Sequence, residues 1–204
     1  MRLIGMLDSP YVRRVAISLR LMDLPFDHEP VSVFRDYEAF AAVNPVVKAP
    51  TLVTAAGVVL MDSTLILEHL ERLAPTGRTL NPGDVEGHAR AQRIIGLALA
   101  ACEKTVQLVY EFNLRPQDKQ HAPWVDRVRG QLREAYRLLE AEVAGEASWL
   151  FGPRPSQADV TTAVAWSFTA FALPGAVEAG GHPALTDLAR RAEATPAFLA
   201  TPIA

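Results

Sequence analysis

The sequence predicts an α/β N-terminal domain, with a mixed four-stranded sheet and packed helices, followed by an all-α C-terminal domain. Three observations carry this. Short apolar segments rich in β-branched residues, including Thr51–Val53 and Val58–Leu60, are confined to the first part of the chain. A breaker-rich stretch containing Pro75, Gly77, Pro82 and Gly83 then interrupts it. From Val85 onward, apolar residues recur only at helical spacing. The expected domains are residues 1–76 and residues 84–204 of the 204-residue chain.

Residues 2–7 suit a buried strand. Ser9-Pro10 then pairs a favoured N-cap with a favoured first helical residue. The helix it opens carries Val12, Val15, Ala16, Leu19 and Met22 at helical spacing, with Arg13, Arg14 and Arg20 on other faces. Asp23-Leu24-Pro25 ends it, Phe26 to Val33 suits a second strand, and residues 34–43 suit a loop and short helix. The stretch from Asn44 to Ile66 reads as strand, hairpin at Thr54–Gly57, strand and helix start. A helix is expected from about Thr64 to Leu73. A strand, helix, strand beginning favours parallel pairing, and a hairpin requires antiparallel pairing.

The second half reads as helices. Residues 86–113 suit one long helix with Ile94, Ile95, Ala98, Cys102, Val106, Val109 and Tyr110 on its apolar side. Trp124 to Val143 carries a stripe of Leu132, Tyr136, Leu139 and Val143. Ser156-Gln-Ala-Asp159 resembles a capping box with Asp in the Glu position. The helix from Asp159 to about Phe171 is apolar most of the way round, as the centre of a helical core would be. Asp159 is therefore expected to be structural. Ala184–Ala192 suits a further helix, and residues 195–199 a last turn.

Half the residues are hydrophobic and 21% are charged, a globular balance. A net charge of −3 argues against a nucleic-acid partner. No apolar run reaches the roughly 20 residues of a membrane span. One cysteine, Cys102, excludes an intrachain disulfide framework and fits a cytoplasmic setting. The five histidines do not fall at metal-ligand spacing, so no metal is expected.

Four segments, in order, resemble the cytosolic glutathione transferase family, whose first domain is thioredoxin-like. Ser9-Pro10-Tyr11-Val12-Arg13-Arg14-Val15 is similar to the active-site turn of serine-type bacterial members. Asn44-Pro45 with Lys48-Ala49-Pro50-Thr51-Leu52 is similar to the segment whose proline is cis. Asp62-Ser63-Thr64-Leu65-Ile66 resembles the Glu/Gln-Ser-x-x-Ile segment, and Ser156-x-x-Asp159 the folding motif of the helical domain. Asp62 is one methylene shorter than the usual Glu or Gln, and Ala49 replaces a common Val.

The resemblance implies a site for glutathione, the co-substrate. Ser9 would stabilise its thiolate by hydrogen bonding, beside the positive end of its helix; as a plain N-cap it would need no ligand. Ala49, before cis Pro50, would offer its N–H and C=O to the glutathione backbone like an added strand edge. Ser63 would hold the γ-glutamyl carboxylate and Asp62 the ammonium, while a plain helix cap explains both residues equally well in isolation. Lys48 would meet the glycine carboxylate, with Arg35 as a second candidate. A hydrophobic electrophile would be walled by Tyr11, Tyr110, Phe112 and Trp166, each of which also suits a core. A homodimer is implied too. The competing expectations are a binding or regulatory protein that retains the fold without catalysis, and an isomerase of the maleylacetoacetate type. The latter carries Ser-Ser-Cys-Ser at the active turn, where this chain has Asp8-Ser9-Pro10-Tyr11.

Overall fold

The computed structural model describes residues 1–146 and 148–203. The chain divides into two compact units, one formed by residues 1–81 with 194–204 and the other by residues 82–193.

The first unit contains strands β1 (Arg2–Ile4), β2 (Asp27–Glu29), β3 (Thr51–Val53) and β4 (Val59–Met61) in the spatial order β2-β1-β3-β4. β1 pairs parallel with β2, and β3 pairs antiparallel with both β1 and β4. This is the expected mixed sheet, with shorter strands. The second strand is three residues long where Phe26 to Val33 suggested more. Helices α1 (Pro10–Leu21), α2 (Tyr37–Val43) and α3 (Ser63–Leu73) complete the α/β part. The Thr54–Gly57 turn is closed by the Gly57 N–H donating to Thr54 O at 3.0 Å.

Leu3, Val12, Val15, Leu19, Leu52 and Ile66 form the core between β1, β3, α1 and α3. Each such side chain contributes roughly 1.5–3 kcal/mol relative to an exposed one. Gly5 ends β1 at φ +136°, and a Cβ there would stand 2.7 Å from Val12 Cγ2 and 3.1 Å from Ala49 Cβ. Glycine thus permits β1, α1 and the Ala49 loop to converge.

Arg13 and Arg14, expected on faces other than the apolar one, are nevertheless buried. Each is only 2% exposed. The Arg13 Nε donates to Thr201 O at 2.8 Å, and its guanidinium lies 5.4 Å from the Phe198 ring centre. The short helix α8 (Pro196–Leu199) therefore packs against α1, and residues 194–204 join the first unit rather than the helical one.

The second unit is helical: α4 (Val85–Leu114), α5 (Ala122–Val143), α6 (Gln157–Ala172) and α7 (Pro183–Glu193). α4 packs on α5 and α6, and α7 on α5 and α6. The stripe on α5 is buried as expected. On α4 the buried face runs from Ile94, Ala98 and Cys102 through Ala101 and Thr105 to Leu108, while Tyr110 is 43% exposed. Phe171 is 55% exposed, whereas Phe168 and Thr169 beside it on α6 are buried. The capping box is present. The Asp159 carboxylate accepts from the Ser156 N–H at 2.9 Å and from the Leu150 N–H at 3.0 Å. Inside the bundle, the Tyr136 hydroxyl donates to Ala165 O at 2.8 Å and lies 2.6 Å from Thr169 Oγ1.

Candidate functional site

The site begins at the N-terminus of α1. Ser9 is its N-cap, at φ −72° and ψ 122°, and Pro10 occupies the first turn. The Ser9 Oγ accepts from the Val12 N–H over 3.5 Å, at the outer limit of a hydrogen bond. A hydroxyl accepting this weakly still has its own proton to donate. The first turn of α1 holds no acidic side chain, so no carboxylate there offsets the positive end of the helix dipole.

The second part is the loop before β3. The Ala49–Pro50 peptide is cis. The loop is held by Asn44, whose Nδ2 donates to Thr51 Oγ1 at 2.8 Å and whose Oδ1 accepts from the Val46 N–H at 3.1 Å. Thr51 Oγ1 in turn donates to Lys48 O at 2.8 Å. Val47 sits at φ +53°, a conformation rarely taken by a β-branched residue. Polar side chains thus fix the backbone around residue 49. The sequence placed Asn44 in the family-like segment with Lys48–Leu52 but assigned it no role; the structure shows it bracing that loop.

The third part is the start of α3. Asp62 is the N-cap at φ +66°, its carboxylate accepting from the Thr64 N–H at 2.9 Å. A non-glycine residue at positive φ costs on the order of 1–3 kcal/mol, and such strain concentrates at functional sites. Ser63 follows and is 3% exposed. Its hydroxyl accepts from Arg14 Nη1 at 3.1 Å, and the same nitrogen lies 3.4 Å from Thr64 Oγ1. Arg14 places a buried positive charge beneath the N-terminus of α3. It is the residue that sequence reading missed, because the hydroxyl it serves is 49 positions away.

The remaining candidates are less connected. The Lys48 and Arg35 side chains are exposed and form no ion pair among the described residues. Tyr11 is half-buried in the first unit. In the second unit, Phe112 is half-buried under Arg129, whose guanidinium lies 5.4 Å from the ring centre. Trp166 is a core side chain at 7% exposure, packed edge-on against Tyr136 with ring centres 5.1 Å apart and 5.4 Å from the His182 ring. Among the described residues, no cluster of His, Cys, Asp or Glu is arranged to hold a metal, and no helix is long and apolar enough to cross a membrane.

A thioredoxin-like unit with a cis-proline loop, joined to a helical bundle with a buried capping box, defines a glutathione S-transferase-like class. Family comparison agrees. Residues 3–79 match the glutathione S-transferase N-terminal domain and residues 122–191 the C-terminal domain. The chain belongs to the glutathione S-transferase family. It is 31% identical to the maleylacetoacetate isomerase of Pseudomonas aeruginosa over 157 residues, covering 72% of this chain and 71% of that protein. A glutathione S-transferase from Methylobacterium radiotolerans, solved with glutathione sulfonate, superposes with TM-score 0.90 at 29% identity, covering 100% of this chain and 95% of the other. A glutathione transferase family member from Pseudomonas fluorescens, solved with bound glutathione, gives TM-score 0.82 at 27% identity, covering 98% and 97%.

Proposed function

We propose that this protein is a cytoplasmic glutathione transferase. Its first domain binds glutathione, and Ser9 stabilises the thiolate for attack on a hydrophobic electrophile. The observation that carries the reading is the Arg14–Ser63 hydrogen bond, which puts a buried cation behind a hydroxyl at the first residue of α3. A carboxylate at that helix end gains the helix dipole and the charge of Arg14. The γ-glutamyl carboxylate of glutathione suits it, and Asp62 then faces the ammonium. Ala49 offers backbone groups to the cysteinyl residue, and Lys48 or Arg35 the glycine carboxylate. At Ser9, the donated hydroxyl and the α1 dipole favour the thiolate, which for a free thiol near pKa ~8.5 is a minor species at neutral pH. Tyr11, half-buried in the first unit, is the side chain offered to the electrophile there; Trp166 is a core side chain packed against Tyr136 and is not offered to it.

A second reading is a glutathione-dependent isomerase, favoured by the 31% identity to the Pseudomonas aeruginosa isomerase. The Asp8-Ser9-Pro10-Tyr11 turn weighs against it. We also propose a homodimer, since Val59, Met61 and Leu65 on β4 and α3 leave apolar side chains exposed in the first unit. A monomeric mass at micromolar concentration would refute that.

Calorimetric titration with glutathione, followed by turnover with a panel of electrophiles and with maleylacetoacetate, tests the function. Binding with conjugation that falls in Ser9→Ala supports the transferase. Turnover of maleylacetoacetate alone selects the isomerase. Binding without turnover selects a non-catalytic binding protein, and absence of binding at millimolar glutathione removes all glutathione-dependent readings.

A further inference from the structure

The chain leaves β1 at Gly5, whose two backbone polar groups are satisfied in different ways. The Gly5 N–H donates to Glu29 O at 3.0 Å, which extends the parallel pairing with β2 one step past Ile4 and Glu29. In a regular parallel ladder the Gly5 carbonyl would then accept from the Val31 N–H, two positions beyond Glu29. That donor is engaged elsewhere: the Val31 N–H turns back across Pro30 to Glu29 O at 2.9 Å. Gly5 is buried, so its carbonyl needs another partner. A side chain provides it. His28 Nε2 lies 2.8 Å from Gly5 O, and because a carbonyl only accepts, the half-buried ring carries a proton on Nε2 and donates it.

The held carbonyl leads directly into the turn that carries Ser9. Gly5 C=O and Met6 N share one planar peptide unit, so fixing the carbonyl fixes the start of that turn. Met6 O then accepts from the Ser9 N–H at 3.2 Å, closing a four-residue turn over Leu7 and Asp8, and Ser9 caps α1. The 3.5 Å cap bond from the Val12 N–H is too long to orient the Ser9 hydroxyl by itself. The placement of that hydroxyl therefore depends on the turn, and the turn is tied to β2 through Gly5.

We propose that His28 is a positioning residue for Ser9, acting through the Gly5 carbonyl and the Met6–Ser9 turn. The inference rests on the reading of Ser9 as the group that stabilises the glutathione thiolate, and adds to it the side chain that holds Ser9 in place. Loss of the imidazole donor frees the Gly5–Met6 peptide to rotate, and the Ser9 hydroxyl loses its aim at the sulfur.

The test is ultraviolet titration of the thiol of glutathione bound to the full chain, in wild type, S9A, H28L, H28Q and the double variant S9A/H28L. Leucine keeps the apolar bulk of the ring and removes its donor. Glutamine carries an N–H donor the same number of bonds from the backbone as His28 Nε2. The expected result is a bound-thiol pKa raised by about half a unit or more in H28L, with a pH-independent maximal rate little changed and the rate at neutral pH lowered about threefold. H28Q should restore most of the shift. The double variant should titrate as S9A does, because a residue that acts only through Ser9 has nothing left to act on. Thermal unfolding verifies that each variant is folded, and H28N, whose shorter amide falls short of Gly5 O, replaces the leucine if it is not. A bound thiol that titrates as in wild type in H28L, a glutamine that fails to rescue, or shifts that add in the double variant would each overturn the proposal. If S9A itself leaves the thiol unchanged, the Ser9 assignment fails and this inference with it; a shift in S9A without one in H28L removes His28 alone.

Discussion

Arg14 Nη1 donates to the Ser63 hydroxyl at 3.1 Å, joining α1 to the first residue of α3 within the first unit. The two helices that flank the proposed glutathione site are thereby held in one register. The same contact brings a cation to the end of α3 that favours an anion.

Arg14→Met keeps the length of the buried stem and removes the charge and its donors. Glutathione affinity should fall by about tenfold or more, since hydrogen bonds to charged groups contribute roughly 1.5–3 kcal/mol. Titration with 4-aminobutanoyl-cysteinylglycine, which lacks the γ-glutamyl carboxylate, separates positioning from folding. Wild type should prefer glutathione to this analogue, and the variant should lose most of the preference. Equal weakening toward both ligands would reduce Arg14 to a packing role.

Ser9→Ala should leave glutathione affinity near that of wild type and raise the pKa of the bound thiol. Ultraviolet titration of the thiolate measures it directly, and the pH–rate profile should move to higher pH in parallel. Because the cap bond is 3.5 Å long, the stability loss should be at the low end of N-cap substitutions, about 0.5–1 kcal/mol. A bound thiol that titrates identically in both proteins would exclude the assigned role.

Asp159→Asn tests the capping box. The buried carboxylate accepts from two backbone N–H groups, and an amide cannot accept from both sides. The loss should be about 1–3 kcal/mol by denaturant unfolding. Burial, outweighing the hydrogen bonds from Ser156 and Leu150, pushes the Asp159 carboxyl above its ordinary value of 3.8. The folded protein therefore holds this proton more tightly than the unfolded chain. Its contribution to stability is greatest below the ordinary value and declines as pH rises through the raised folded one. Stability of the Asn variant should lack that segment of pH dependence.

Phe198→Ala removes the ring beneath Arg13. A buried Phe truncated to Ala costs about 3–5 kcal/mol, and the loss should be read in the first unit. Hydrogen exchange of α1 amides should accelerate while that of α6 amides is unchanged. Equal acceleration in both helices would show that the contact does not act locally.

The parts of this protein that were legible in its sequence are those specified by neighbours. Ser9-Pro10 and Ser156-x-x-Asp159 announce helix starts because a cap bonds to a backbone group two or three residues away. The Thr54–Gly57 turn and the α5 stripe are local in the same sense. The burial of Arg13 and Arg14 was not legible. Periodicity assigns a charged residue to solvent unless its partner is known, and these partners lie 188 and 49 positions away. On the last turns of α4 the expected Tyr110 is exposed and Val106 and Val109 are only half-buried, because apolarity alone does not rank them against their neighbours. Only packing against α5 and α6 selects Thr105 and Leu108.

The pairing of Arg13 with Thr201 and Phe198 makes the helical unit an insertion between two pieces of the first one. During synthesis on a ribosome, the α/β sheet can assemble early, but the buried Arg13 guanidinium has no ring or carbonyl from α8 until the whole helical bundle has been translated. Completion of the first unit is therefore a late event, and a ribosome stalled before Pro196 would display α1 with its charged underside still open to water.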